Sequence, residues 1–236
     1  GVSSSFGIAT TPLPIVGTSG DDVLVGGAED NVIDGLAGDD TLDGGAGDDE
    51  MYGGEGNDIY IVDSYGDYIE EQDDEGTDEV RTDLDSYELG WSLERLVLTG
   101  TEDLGGYGNE LDNTLIGNSG ANRLEGDAGN DWIDGGNGAN VLIGGTGDDG
   151  YSHGAGQDTI DNTGGGLDGV FFDSNIAESN LAFARDGDDL VITVNGSSSN
   201  TVRVTDHFLG GDYAIDFVQP GSGSMMDRAA INMLAD

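Results

Sequence analysis

The sequence predicts an all-β fold: short strands stacked coil upon coil from glycine-rich nonapeptide repeats, finished by an antiparallel β cap at the C-terminus. Three observations predict it. A motif Gly-Gly-x-Gly-x-Asp-x-U-x, with U apolar, recurs in two blocks and is clearest at Gly44–Tyr52 (GGAGDDEMY) and Gly53–Ile61 (GGEGNDIYI). The eighth position of the motif is apolar in every repeat. After Phe171 the nine-residue period stops and segments of alternating apolar residues follow.

The elements follow in chain order. Residues 1–16 are a lead-in; Gly1–Ile8 (GVSSSFGI) lacks the charged and apolar regions of a secretory signal peptide, so export by another route, or a place within a longer protein, is expected. Block one, 17–61, holds five repeats: Gly17–Val25, Gly26–Asp34, Gly35–Asp43, Gly44–Tyr52 and Gly53–Ile61. Residues 62–107 are an acidic spacer in which DEVRT (78–82) and RLVLT (95–99) read as strands. Block two, 108–171, holds seven more repeats, with a one-residue insertion at Asn162 before the last, Thr163–Phe171. Residues 172–236 form the cap and tail. There Leu181–Ala184, Leu190–Val194, Thr201–Thr205 and Ala214–Val218 read as strands, NGSSSN (195–200) as a turn, and Met225–Leu234 as the one helix.

Each repeat reads as a short strand followed by a tight turn. Position eight lies mid-strand and points inward, while its neighbours point outward. It is filled by Leu24, Ile33, Leu42, Met51, Tyr60, Leu115, Leu124, Ile133, Leu142, Tyr151, Ile160 and Val170. Glycines at positions one, two and four allow positive φ and let carbonyl groups converge. Two repeats complete a coil, so repeats n and n+2 stack on one edge, and their position-six side chains come within about one strand spacing, roughly 4.8 Å. Position six is Asp at Asp22, Asp40, Asp49, Asp58, Asp131, Asp149, Asp158 and Asp168, and Asn at Asn31, Asn113, Asn122 and Asn140. Carboxylates that close repel unless a cation joins them, and oxygen-only ligation suits hard Ca²⁺.

These repeats resemble the RTX (haemolysin-type calcium-binding) family, whose signature is this nonapeptide, so the calcium assignment rests partly on the resemblance. The resemblance implies a parallel β-roll or β-helix that binds several calcium ions, about four to seven. Stacking ranks the ligands. Asp22/Asp40 and Asp40/Asp58 are the strong pairs of block one, and Asn31/Asp49 is weaker. In block two Asp131/Asp149 and Asp149/Asp168 are strong, with Asn113 at one end of that edge and Asp158 on the other edge; Asn122/Asn140 should be metal-free and cap turns instead.

Composition narrows the function. Forty-nine acids face six arginines and no lysine, for a formal charge of −43. Such a surface excludes nucleic acid and anionic membranes as partners and selects cations. Cysteine is absent, so disulfides and zinc–thiolate sites are excluded, and no apolar run is long enough to span a bilayer. No His-Glu-x-x-His, nucleophile elbow or Walker lysine occurs, and no enzyme is expected. The run 145–150 (GTGDDG) fits a dinucleotide-binding pattern but lies inside a repeat. Of the two histidines, His153 is expected on a surface turn and His207 at the end of a cap strand, in a packing role.

The spacer, YIVDSYGDYIEE through LERLVLTG, resembles segments that join RTX blocks in large bacterial secreted proteins, and the region from NLAFARDGDDLVITV to TVRVTDHFL resembles a haemolysin-type calcium-binding-related domain. The resemblance implies an extracellular or bacterial cell-surface module, handled by a type I secretion apparatus, that stays unfolded in low calcium and folds outside the cell. Two other readings remain open. One is a terminal module of a large adhesin that binds a sugar or peptide, for which outward Trp132, Val141 and Ile143 offer a patch; the other is the tail of a secreted hydrolase.

Overall fold

The computed structural model describes residues 13–72 and 75–236. Residues 1–12, including the Gly1–Ile8 segment, and Asp73 and Asp74 of the spacer lie outside the described residues.

Strands eighteen residues apart pair in parallel. Val23–Gly27 lies beside Thr41–Gly45 with Leu24 opposite Leu42, and Thr41–Gly45 beside Ile59–Val62 with Leu42 opposite Tyr60. The intervening repeats do the same on the opposite face, where Val32–Ala37 pairs with Glu50–Glu55. Two repeats therefore make one coil of a parallel β-roll. The strands reach six residues, longer than the repeat pattern suggests, because they run on into the following glycines.

The spacer continues one face of this stack. Glu79–Thr82 and Arg95–Leu98 lie between Ile59–Val62 and Thr114–Ile116, so an eleven-stranded sheet runs from Val23–Gly27 to Met226–Asp227. The opposite face divides: a four-stranded sheet ends at Tyr68–Glu70 and a nine-stranded sheet begins at Ser86–Glu88.

Between the faces lies a single file of position-eight side chains. Ile33, Leu42, Met51, Tyr60, Leu115, Leu124, Ile133, Leu142, Tyr151, Ile160 and Val170 are all buried, and Leu24 in the first coil is partly so. Burial of each such side chain contributes about 1.5–3 kcal/mol. The glycines divide by role. Most of those at positions two and four take positive φ, as at Gly54 (91°) and Gly56 (142°), though Gly20, Gly27, Gly120 and Gly154 do not. The position-one glycines Gly35, Gly44, Gly53 and Gly126 do not, which corrects the expectation for that position; they are needed for space, as described below.

The cap turns the parallel stack antiparallel on both faces. Thr201–Val204 joins Ala155–Asp161 in parallel, and Asp189–Val194 and Leu181–Asp186 then add antiparallel. On the other face Phe217–Gln219 joins Gly169–Phe172 in parallel and Met226–Asp227 adds antiparallel. The strand expected over Ala214–Val218 begins later, at Phe217, because a 3₁₀ turn at Gly211–Tyr213 precedes it. The helix spans Arg228–Ala235, where Asp227 accepts the Ala230 N–H at 2.9 Å as its N-cap; Met226 belongs to the preceding strand. Among the described residues no helix is long and apolar enough to cross a membrane.

Candidate metal centre

The residue just before each strand of the eleven-stranded sheet occupies repeat position six or its equivalent. Stacked neighbours there are joined by a hydrogen bond. The Asp22 N–H donates to Asp40 Oδ1, Asp40 N–H to Asp58 Oδ1, and Asp58 N–H to Asp78 Oδ1, each at 2.7 Å. The Asp78 N–H donates to Glu94 Oε2 at 2.9 Å. Block two repeats the arrangement: Asn113 to Asp131 at 2.8 Å, Asp131 to Asp149 at 3.0 Å, Asp149 to Asp168 at 2.8 Å, and Asp168 to Asp216 Oδ2 at 3.1 Å. On the opposite edge Asn31 donates to Asp49 (2.7 Å), Asp49 to Asp67 (3.0 Å), Asn122 to Asn140 (2.9 Å) and Asn140 to Asp158 (3.2 Å).

Asp67, Asp78, Glu94 and Asp216 were missed by sequence reasoning. Spacings of 20 and 16 residues in the spacer break the eighteen-residue register. The usable signal was position: Asp78 and Glu94 sit at the start of the strands DEVRT and RLVLT.

The hydrogen bond uses only one carboxylate oxygen. Among the described residues, Oδ2 of Asp40, Asp49, Asp58 and Asp131 is buried and has no hydrogen-bond partner. Each points at the position-one glycine of its own repeat. A Cβ on Gly35 would collide with Asp40 Oδ2 and stand 2.7 Å from the Gly53 carbonyl oxygen. A Cβ on Gly126 would likewise meet Asp131 Oδ2 and stand 2.6 Å from the Gly144 carbonyl oxygen. Carboxylate and carbonyl thus converge on the space that glycine leaves open. An oxygen-lined cradle with an uncompensated negative charge fits a hard divalent cation.

Without a cation these groups resist ionisation. Burial pushes Asp131 up to about 7 and Asp58 and Asp149 up to about 6, with neighbouring carboxylates adding to the shift. Asp40, Asp49 and Asp168 are raised for the same first reason. These folded-state values lie above the ordinary 3.8, so the metal-free fold binds more protons than the unfolded chain between about pH 4 and 7. Its stability should rise as the pH falls through that window and be lost as it rises past 7. Circular dichroism of the metal-free chain at pH 5 and pH 8 checks this; more strand signal at pH 8 would contradict it.

Other predicted ligands are compensated by the protein. Asp158 accepts from His153 Nδ1 at 2.5 Å and from Asn140 Nδ2 at 2.8 Å. His153 is buried, not on a surface turn as expected from the sequence, because its second ring nitrogen meets Asn200 of the cap at 2.6 Å. Burial alone would lower its pKa, but the Asp158 carboxylate and Asn200 turn the net shift upward, toward the imidazolium. Asp168 Oδ2 accepts from Asn162 Nδ2 at 2.8 Å. Asp22 Oδ2 accepts from the N–H and hydroxyl of Thr18 at 2.6 and 2.8 Å. Asn31 and Asn113 accept the N–H of Gly27 and Asn109 at 2.6 and 2.7 Å, and Asn122 that of Asn118 at 2.8 Å, all as turn caps. At the end of the column Asp216 meets Arg228 at 2.6 Å. His207 lies in a 3₁₀ turn rather than at a strand end and packs against Phe208, with Nε2 on Asn232 at 2.9 Å. Trp132 packs at a tilt against Phe171, which meets Phe217 edge-on, with centroids 4.9 and 5.4 Å apart, so one of the three outward patch residues is tied through Phe171 to a cap strand.

Four overlapping copies of the RTX calcium-binding nonapeptide repeat match the chain, at residues 16–50, 25–60, 107–142 and 126–160. The chain carries RTX repeats. The matched spans cover block one and most of block two, and contain Asp40, Asp49, Asp58 and Asp131, the four aspartates with an orphaned Oδ2 among the described residues. The RTX match over residues 16–60 and 107–160 and the parallel stack together support a calcium-binding RTX module. No curated protein matches the chain. The last RTX-like repeat, Thr163–Phe171, lies beyond the matched spans, yet Asp168 stands in the same column.

Proposed function

We propose that this module folds on meeting extracellular Ca²⁺ and thereby supports the type I secretion and stability of an exported bacterial protein. The observation that carries the reading is the set of four buried carboxylate oxygens without partners, each beside a glycine that leaves room for an ion. In this reading Asp40, Asp49, Asp58 and Asp131 are the principal ligands, Asp149 contributes from the same column, and Asp168 is left to Asn162. Asp158 is left to His153, and Asp22, Asn31 and Asn113 serve chiefly as caps. The domain divisions 17–61, 62–107, 108–171 and 172–236 are proposed to act as one folding unit, because the eleven-stranded sheet crosses all of them.

The charge of −43 supports the same reading. At low calcium, self-repulsion favours an extended chain. Extracellular calcium modules bind at about 10⁻⁴–10⁻³ M, so millimolar calcium would saturate the sites. Equilibrium dialysis of the whole chain against calcium chloride tests the binding half; about four or more ions are expected, and about three fewer in the Asp40→Asn, Asp49→Asn, Asp131→Asn triple variant. For the export half, the yield of a reporter fused ahead of the chain, co-expressed with a type I apparatus, should fall at least about tenfold in chelated medium. Unchanged yield would refute the secretion role while leaving calcium binding intact.

A further inference from the structure

One acidic cluster stands outside the nonapeptide logic. A carboxylate oxygen from each of Asp58, Glu71 and Asp78 lies within 4.8 Å of the others. Asp58 ends block one, whereas Glu71 and Asp78 belong to the spacer. Asp58 and Asp78 are each 1% exposed. Asp58 Oδ2 and Glu71 Oε2 are buried and have no partner. Asp58 Oδ1 and Asp78 Oδ1 are each spent on a backbone N–H, and Glu71 Oε1 accepts the hydroxyl of the buried Tyr60. The arginines nearest in sequence, Arg81 and Arg95, both pair with Glu79. Three carboxylates thus share a buried space with no protein cation between them.

Block two contains the same construction with one change. Asp149 and Tyr151 stand where Asp58 and Tyr60 stand, and in each block the tyrosine hydroxyl reaches a side chain eleven residues on. In block two that side chain is Asn162, whose Oδ1 accepts from Tyr151 at 3.0 Å and whose Nδ2 donates to Asp168 Oδ2 at 2.8 Å. A neutral amide with a donor closes that network. Glu71 occupies the corresponding place, carries no donor and adds a charge.

We propose that Glu71 and Asp78 of the spacer complete, with Asp58, a three-carboxylate divalent-cation site where block one meets the spacer, and that Asn162 is the metal-free replacement of Glu71 in block two. All-oxygen, carboxylate-rich ligation selects a hard ion, Ca²⁺ at extracellular concentrations. The site takes in the Gly53 cradle, where a Cβ would meet Asp58 Oδ2 and stand 2.6 Å from Glu71 Oε1, and it differs from the other repeat cradles by its two spacer carboxylates. Its ion would hold the first irregular coil onto the regular ones, which the opposite face cannot do because its sheet divides after Tyr68–Glu70.

Calcium chloride titrated into the whole metal-free chain, with bound ions counted by equilibrium dialysis, tests the proposal. Glu71→Gln should fold and hold one ion fewer than the parent, since a glutamine amide can bridge as Asn162 does. The converse Asn162→Glu should hold one more. If Glu71→Gln fails to fold, Asn162→Glu decides alone. A folded Glu71→Gln with the parental count, or an Asn162→Glu without an added ion in that fallback, overturns the site. Asp131→Asn, far from Glu71 in the stack, separates the two readings: its loss of an ion with no change in Glu71→Gln removes this site and keeps the repeat sites. A parent chain that binds no calcium removes both.

Discussion

Chelation at neutral pH should unfold this chain, and calcium should refold it cooperatively between about 10⁻⁴ and 10⁻³ M. The expectation follows from Asp40, Asp49, Asp58 and Asp131, each of which holds a buried oxygen with no hydrogen-bond donor beside it. Each site saturated at a hundredfold excess adds about 2.7 kcal/mol, so four contribute roughly 11 kcal/mol. That equals the whole stability of an ordinary domain, about 5–15 kcal/mol. The coils share one sheet and one file of core residues, so loss of ions should propagate rather than stay local. Far-ultraviolet circular dichroism against free calcium is the measurement. A full strand spectrum in chelator at pH 7.5 would end the argument.

The second large effect comes from a single methyl group. Gly126→Ala should lose one calcium site and destabilise the folded chain by about 4 kcal/mol, summing the lost ion and the cost of overpacking. Its backbone is not at positive φ, so alanine is acceptable to the chain itself. The Cβ, however, lands on Asp131 Oδ2 and 2.6 Å from the Gly144 carbonyl oxygen, in the cradle. Gly20→Ala is the control, since nothing lies within 4 Å of its Cβ and its φ is not positive either. Calcium stoichiometry and the calcium midpoint of folding should move for Gly126→Ala and not for Gly20→Ala. Equal behaviour of the two would mean that the first glycine is conserved in the motif's pattern for its backbone and not for an ion.

Much of this was legible from the repeat. Position eight gave the core, because a period of two repeats, one coil, per eighteen residues carries each such side chain to the interior without help from distant contacts. Asp40, Asp58, Asp131 and Asp149 could be named for the same reason. The column's full extent could not. Asp78 and Glu94 stand in it after spacings of 20 and 16 residues, which no nine-residue count reaches. Nor could the compensation of individual acids be read. Asp158 is satisfied by His153 because the cap brings Asn200 against the imidazole from 47 residues away. Asn162 looked like an insertion that disturbs register, and in the fold it supplies the one amide that spares Asp168 an ion. Local pattern fixes where the carboxylates lie; tertiary contacts fix which of them need metal.

The position-six column also has a direction. From Asp22 to Asp78 and from Asn113 to Asp168, each N–H in it points to a side chain supplied by the coil that follows, and the last acceptor, Asp216, comes from the cap with Arg228 behind it. Within this column, a cut near the beginning of the stack frees carboxylates, which water hydrates. A cut near the end takes away the acceptors of the coil left behind and the arginine that anchors the row. In this column the donors face one end of the stack and the acceptors the other, so the two ends are not equivalent.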